Sequence, residues 1–406
     1  MGGNGIRLGI SGLYFVLLTR LLGAEGFGWF SALLACSQLV SPFAQGGQPD
    51  VLIQWLSRRP QDLYPLWTHA CCIALAGGIA ITGVLLYPLH RWLPDVSIQA
   101  IALILISEVV VFGLQAVHKG MLIALERIPQ VALIDTGMAG ARLLTAGLAL
   151  ALGWKSLDQW SILYVGMALM VGLVTYGFIQ YNGIRSLKGN VSFWQKTGRQ
   201  QLKTGWDFAV GGVAVLAFSD VDKLLLPRLK SAAAAGVYSA AYRIVTFAQT
   251  PIMSLITSGM AELSRQGEQG LQHGWTYGSR LGKWVIGYGC LGTLGLWILA
   301  GLIPQVLGAS YAETRAVLRW LSSLVLWEGL HLLLAGILTG ANLHRSRSWL
   351  QLGALGLNLG LNLLWIPHYS WRGAVLATLV SEFALLVGLG GLIWVHASPN
   401  VKGCDR

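Results

Sequence analysis

An all-α, polytopic membrane fold is predicted, with about twelve transmembrane helices in two six-helix lobes around a central cavity. Three features of the 406-residue sequence predict it: its composition, its recurring apolar segments and the sidedness of its basic residues. Hydrophobic residues make up 54% of the chain, 52 residues are glycine and only 11% are charged. Soluble domains carry ~25% charged residues and need them to cover their surface. A soluble enzyme, a disordered chain and a nucleic-acid binder are all excluded on this ground, even though the net charge is +11. Cys36, Cys71, Cys72 and Cys290 lie in apolar stretches and Cys404 in a polar tail, with no C-x-x-C pair. They read as small apolar filler.

A helix needs about 20 apolar residues to cross the hydrocarbon core. Twelve such segments occur, at 6–22, 28–46, 67–88, 97–118, 130–153, 160–181, 206–227, 234–260, 284–307, 316–341, 349–366 and 371–395. The first has only Arg7 before it and no clear cleavage motif, so it reads as a span and not a signal peptide. Trp67, Trp160, Tyr181, Trp206, Trp284 and Trp371 stand at segment ends, as an interfacial aromatic belt requires.

With the N-terminus inside, seventeen Lys and Arg fall in inner segments and six in outer ones. The bias alternates loop by loop and gives twelve spans with both ends on the inner side. The basic excess then faces anionic lipid headgroups. The expected organisation is a first lobe over 1–181, a basic inner linker over 182–205, a second lobe over 206–395 and an inner tail over 396–406.

The halves repeat one another. Arg20-Leu-Leu, Gly28-Trp-Phe-Ser-Ala32 and Pro42 in the first correspond to Lys223-Leu-Leu, Gly236-Val-Tyr-Ser-Ala240 and Pro251 in the second. The offsets are 203, 208 and 209 residues, so the second hairpin loop carries a five-residue insertion. A parallel repeat about an axis along the membrane normal is a transporter architecture.

The same segments carry a resemblance. Thr19-Arg-Leu-Leu-Gly-Ala-Glu-Gly-Phe-Gly-Trp-Phe30 resembles the first-hairpin signature of polysaccharide exporters. So do Asp222-Lys-Leu-Leu-Leu with Ala235-Gly-Val-Tyr-Ser-Ala-Ala-Tyr-Arg243, and Ile366-Pro with Trp371-Arg-Gly-Ala-Val-Leu-Ala-Thr-Leu-Val-Ser-Glu382. The family is that of the lipid-linked oligosaccharide (O-antigen) flippases, within the multidrug/oligosaccharidyl-lipid/polysaccharide exporter superfamily. The lipid II flippases of that superfamily have fourteen spans, which sets them apart from the twelve expected here. The resemblance implies a non-enzymatic flippase of the bacterial inner membrane that serves cell-surface polysaccharide biosynthesis. Its implied partners are a polyprenyl-pyrophosphate-linked oligosaccharide, membrane lipids and polysaccharide-assembly proteins; a coupling proton or sodium ion is expected from the mid-span acids. No cofactor is implied.

Charged residues at bilayer depth mark function by default. Glu108, Arg142, Glu328 and Glu382 lie near mid-depth, Arg243 is somewhat outward, and Lys223 and Arg20 are near outer span ends. A pyrophosphate needs cations, and the planar fork of arginine suits it best. Arg142, Arg243, Lys223 and Arg20 are therefore the expected phosphate-binding residues. The alternative is that each only pairs with an acid, as Asp135 seven residues before Arg142, or Asp222 beside Lys223, would allow. Glu108, Glu328 and Glu382 are the expected ion-coupling residues, since a carboxyl in a low-dielectric site can exchange a proton near neutrality.

Glu328-x-x-His331 has the spacing of one half of a di-iron site, but no second copy exists and no metal is expected. No phosphate-loop motif is present, so ATP hydrolysis by this chain is not expected. Two other readings remain open. An ion-coupled multidrug or cation antiporter of the same superfamily would use the mid-span acids. A membrane glycosyltransferase or polysaccharide polymerase would want a large outer loop, and the longest here is about ten residues.

Overall fold

Gly23 has φ 65° and ψ 179°, a backbone geometry that interrupts the first helix between the first two apolar segments. Glycine takes such a positive φ without the clash a Cβ would cause. The computed structural model describes residues 2–182 and 191–397. Part of the expected linker, 183–190, and nearly all of the tail lie outside the described residues.

The helices, in order, are α1 (Gly2–Ala44), α2 (Gln48–Leu56), α3 (Leu63–Trp92), α4 (Ile98–Leu105) and α5 (Phe112–Ala124). They are followed by α6 (Ile128–Ala151), α7 (Leu157–Tyr181), α8 (Val191–Leu229), α9 (Ala232–Glu268) and α10 (Leu271–Leu299). The last are α11 (Ile303–Leu307), α12 (Thr314–Leu321), α13 (Leu324–Gly340), α14 (His344–Tyr369) and α15 (Trp371–Ala397). Among the described residues there is no strand.

Ten continuous helical stretches of the described residues are long and apolar enough to cross a membrane. Of the twelve apolar segments, the first two share α1 on either side of Gly23, and the seventh, on α8, is not among the ten. The protein is thus a multi-pass membrane protein. Large apolar side chains on its outside, such as Leu144 at 76% and Leu173 at 72% exposed, have lipid as their natural neighbour.

Two compact units divide the chain, Met1–Arg228 and Leu229–Arg406. In the first, α1 packs on α6, and α2 packs on α5. A buried cluster of Leu52, Leu56, Leu66, Trp67, Val117 and Met121 fixes α2 against α3 and α5. Left-handed Gly46 and Gly47 turn the chain from α1 into α2. Gly47 also meets α8 backbone to backbone: a Cβ there would lie 2.0 Å from the Gly205 carbonyl oxygen. The Gln201 side-chain amide donates to Gln48 at 2.7 Å across the same contact, and Phe43 and Trp206 pack their rings beside it.

In the second unit α9, α10 and α13 pack on one another, and α14 pairs with α15. Glycines again permit close backbones. A Cβ on Gly267 would be 2.3 Å from Gly340, and one on Gly373 would be 2.5 Å from the Trp365 backbone. Small residues at helix contacts are the usual device of membrane bundles, where lipid tails are as apolar as leucine. Helix starts are conventional: Ser156 and Gln159 form a capping box on α7, and Ser231 caps α9 by accepting from the Ala234 N–H.

Candidate functional site

Between α4 and α5 the chain runs through a π-helical stretch, Ile106–Val111, that carries Glu108. A π turn adds a residue to the helical repeat and rotates every side chain after it, and such turns favour functional positions. Here Glu108 faces α6 and α7. The Tyr164 hydroxyl on α7 donates to the Glu108 carboxylate. Arg142 on α6 donates through Nη2 to the Tyr164 hydroxyl at 3.4 Å, and the same nitrogen lies 3.8 Å from Glu108 Oε1. The guanidinium stands over the Phe112 ring with its carbon 5.1 Å from the centroid, a cation–π contact. Phe30 and Trp160 pack edge-to-face beneath, and Trp160 and Tyr164 are fully buried.

Arg142 is therefore compensated but loosely held. Its Nε is buried with no hydrogen-bond partner among the described residues. An arginine that keeps an acid at 3.8 Å and leaves part of its fork unused can exchange that acid for a doubly charged oxyanion.

Asp135 is not its partner. That carboxylate takes Arg7 from α1 at 3.2 Å and Lys119 from α5 at 3.1 Å. The two-turn spacing from Asp135 to Arg142 thus does not form an ion pair, because side chains from other helices reach Asp135 first. Lys223 is matched with Asp220 at 2.5 Å and donates to the Ser219 carbonyl at 2.7 Å. Asp222 accepts the Lys223 backbone N–H at 2.7 Å. Arg20 is exposed on α1 three residues before the Gly23 break. Arg243 is exposed on α9 and stands over the Phe247 ring at 5.4 Å.

In the second unit two of the mid-span acids come together. Glu328 on α13 accepts from the Gln249 amide at 2.6 Å and from the Tyr242 hydroxyl at 3.1 Å, both on α9. One turn along α13, His331 Nδ1 lies 3.3 Å from Glu382 Oε2 on α15. Glu382 is 3% exposed, and Glu328 interacts electrostatically with both His331 and Glu382. Among the described residues no group of three or more His, Cys, Asp or Glu has metal-holding geometry.

Tyr164, Tyr242 and Gln249 are the site residues that sequence reasoning passed over, and His331, weighed there only as a metal ligand, instead meets Glu382. One signal was available. Glu108 and Glu328 both sit on the fourth apolar segment of their half, and in each half a tyrosine hydroxyl donates to that acid.

This geometry lies on a shared fold. The chain superposes on an inward-facing multidrug resistance MATE family transporter of the MOP superfamily with a TM-score of 0.77 at 12% identity, covering 97% of this chain and 96% of that one. The lipid II flippase MurJ, in an inward closed conformation, gives 0.74 at 13%, covering 97% and 86%. A MOP superfamily transporter from Pyrococcus furiosus, described as having a binding pocket of reversed polarity, gives 0.63 at 13%, covering 97% and 94%. No curated protein matches the chain in sequence. Residues 1–260 match the family described as Polysaccharide biosynthesis protein. On a fold shared with MOP-superfamily transporters, the chain belongs to that polysaccharide biosynthesis family.

Proposed function

We propose that the protein moves a polyprenyl-pyrophosphate-linked oligosaccharide from the inner to the outer leaflet of the bacterial inner membrane, with both termini cytoplasmic. The observation that carries this reading is Arg142, a membrane-depth cation with a buried Nε left unpartnered and only a 3.8 Å hold on its acid. Family membership supports the substrate class. In this reading the pyrophosphate displaces Glu108 from Arg142, the tail stays in lipid, and two lobes alternate access to the sugar. Arg243, Lys223 and Arg20 serve the same phosphates along the path. Glu328 and Glu382, with Glu108, exchange the coupling proton or sodium ion, and no bond is made or broken in the substrate.

A second reading, cation antiport, draws on the half-buried Glu328 and the buried Glu382. Reconstitution separates the two. Proteoliposomes loaded with lipid-linked oligosaccharide should expose the sugar on the opposite face at a rate above that of empty liposomes. Transport of a fluorescent cationic dye with no movement of the sugar lipid would replace the flippase with the antiporter.

A further inference from the structure

A cavity of about 320 Å³ lies within the first unit, between the end of α1, α2, α5 and α8. Its two walls differ in chemistry. Gln38, Ser41 and Gln45 share one face of α1, at the i, i+3, i+7 spacing of a single helical stripe, and Asp50 joins them from α2. The opposite wall is a stripe of α8, with Phe208, Gly212 and Leu216 at four-residue spacing. Ser41 and Gln45 are half-buried, while Gln38 and Asp50 are exposed at the margin. The backbone contact of Gly205 with the Gly46–Gly47 turn holds α8 beside this space.

The lining carries one carboxylate, two amides, a hydroxyl and an aromatic ring, and no Lys or Arg. A phosphate has no counter-charge here. A neutral polyhydroxylated ring does fit, since amides and carboxylates bind hydroxyls in both donor and acceptor senses and a ring face can rest on Phe208. The volume is at the lower end of the range for small-molecule sites, enough for a terminal sugar unit but not a long chain. We propose that this cavity is a sugar-binding subsite that takes a neutral sugar unit of the lipid-linked substrate, apart from the arginine that holds its phosphates. The assignment rests on the flippase reading and deepens it.

Ser41→Cys in the full-length protein, with Cys71, Cys72, Cys290 and Cys404 replaced by serine, gives a thiol inside the cavity for maleimide labelling in proteoliposomes. The probes are lipid-linked oligosaccharide extracted from the source cells and the same polyprenyl pyrophosphate without sugar. Binding of each probe to the protein is measured separately by equilibrium filtration. The expected result is at least tenfold slower labelling with the sugar lipid and an unchanged rate with the sugar-free lipid. Equal protection by both, or protection by neither while the sugar lipid binds, would overturn the subsite and leave the flippase standing. Absence of any binding of the sugar lipid would remove the flippase reading and the subsite with it. As a second measurement, Gln45→Leu should weaken binding of the sugar lipid about tenfold and leave the sugar-free lipid unaffected. Equal effects on both lipids would count against the subsite.

Discussion

Tyr164 donates its hydroxyl to the Glu108 carboxylate, and the same hydroxyl receives Arg142 at 3.4 Å, so one tyrosine joins an acid and a base that the sequence places 34 residues apart. The acid keeps the cation compensated until a ligand replaces it. Removing Glu108 alone leaves Arg142 without a nearby counter-charge. Breaking a buried pair from one side costs about 3–5 kcal/mol, and partial exposure of both groups lowers the expected loss to about 1–3 kcal/mol. Glu108→Ala should therefore lower Tm in detergent. Glu108→Leu with Arg142→Leu should recover most of that Tm and still not transport. A double variant no more stable than Glu108→Ala would contradict the pairing.

Tyr164→Phe takes away the donor to Glu108 while keeping the ring in its aromatic cluster. A buried acceptor left unmet costs roughly 1–3 kcal/mol. The variant should fold, unfold at a lower Tm and export more slowly. Unchanged Tm and unchanged export would show that the hydroxyl holds nothing.

Gly47→Ala and Gly205→Ala each place a methyl group 2.0 Å from a backbone oxygen of the other segment, and Gly47 also has φ 62°. No rotamer change relieves such a clash. The strained backbone of Gly47 alone carries about 1–3 kcal/mol, so both variants should lower Tm and the yield of folded protein. Gly147→Ala, with nothing within 4 Å of its Cβ position, is the matched control and should leave Tm unchanged or slightly raised. Equal Tm for all three would contradict the α8 contact.

Glu382 is buried beside His331, and Glu328 is tied to α9 through Gln249 and Tyr242. If these acids carry the coupling ion, Glu328→Gln with Glu382→Gln should make sugar export insensitive to collapse of the proton and sodium gradients. Single variants should keep partial dependence. A double variant with the dependence of wild type would remove these residues from coupling.

The order of the apolar segments and the helical class were legible from hydropathy alone, because membrane spans write their length into composition. The pairings were not. Glu108 meets Tyr164 and Arg142 across three helices, and its direction depends on a π turn whose residues, Ile-Ser-Glu-Val-Val-Val, read as ordinary helix. The same limit applies to His331 and Glu382, on different helices and 51 residues apart. The spacing of Asp135 and Arg142 suggested a pair within one helix, but Arg7 and Lys119 from neighbouring helices decide where Asp135 bonds. Gly23 also lacked a distinguishing signal, since glycine is common along this chain and only the backbone shows which one breaks α1.

The account depends most on Arg142 as the anchor for the substrate phosphates. Cells carrying Arg142→Glu as their only copy, with protein levels matched to wild type, provide the direct measurement: surface polysaccharide and inner-face lipid-linked oligosaccharide are quantified together. The account predicts loss of surface polysaccharide, accumulation of the lipid-linked precursor on the inner face, and partial recovery in Arg142→Lys. Wild-type export from Arg142→Glu cells, even when combined with Arg243→Glu, would contradict it.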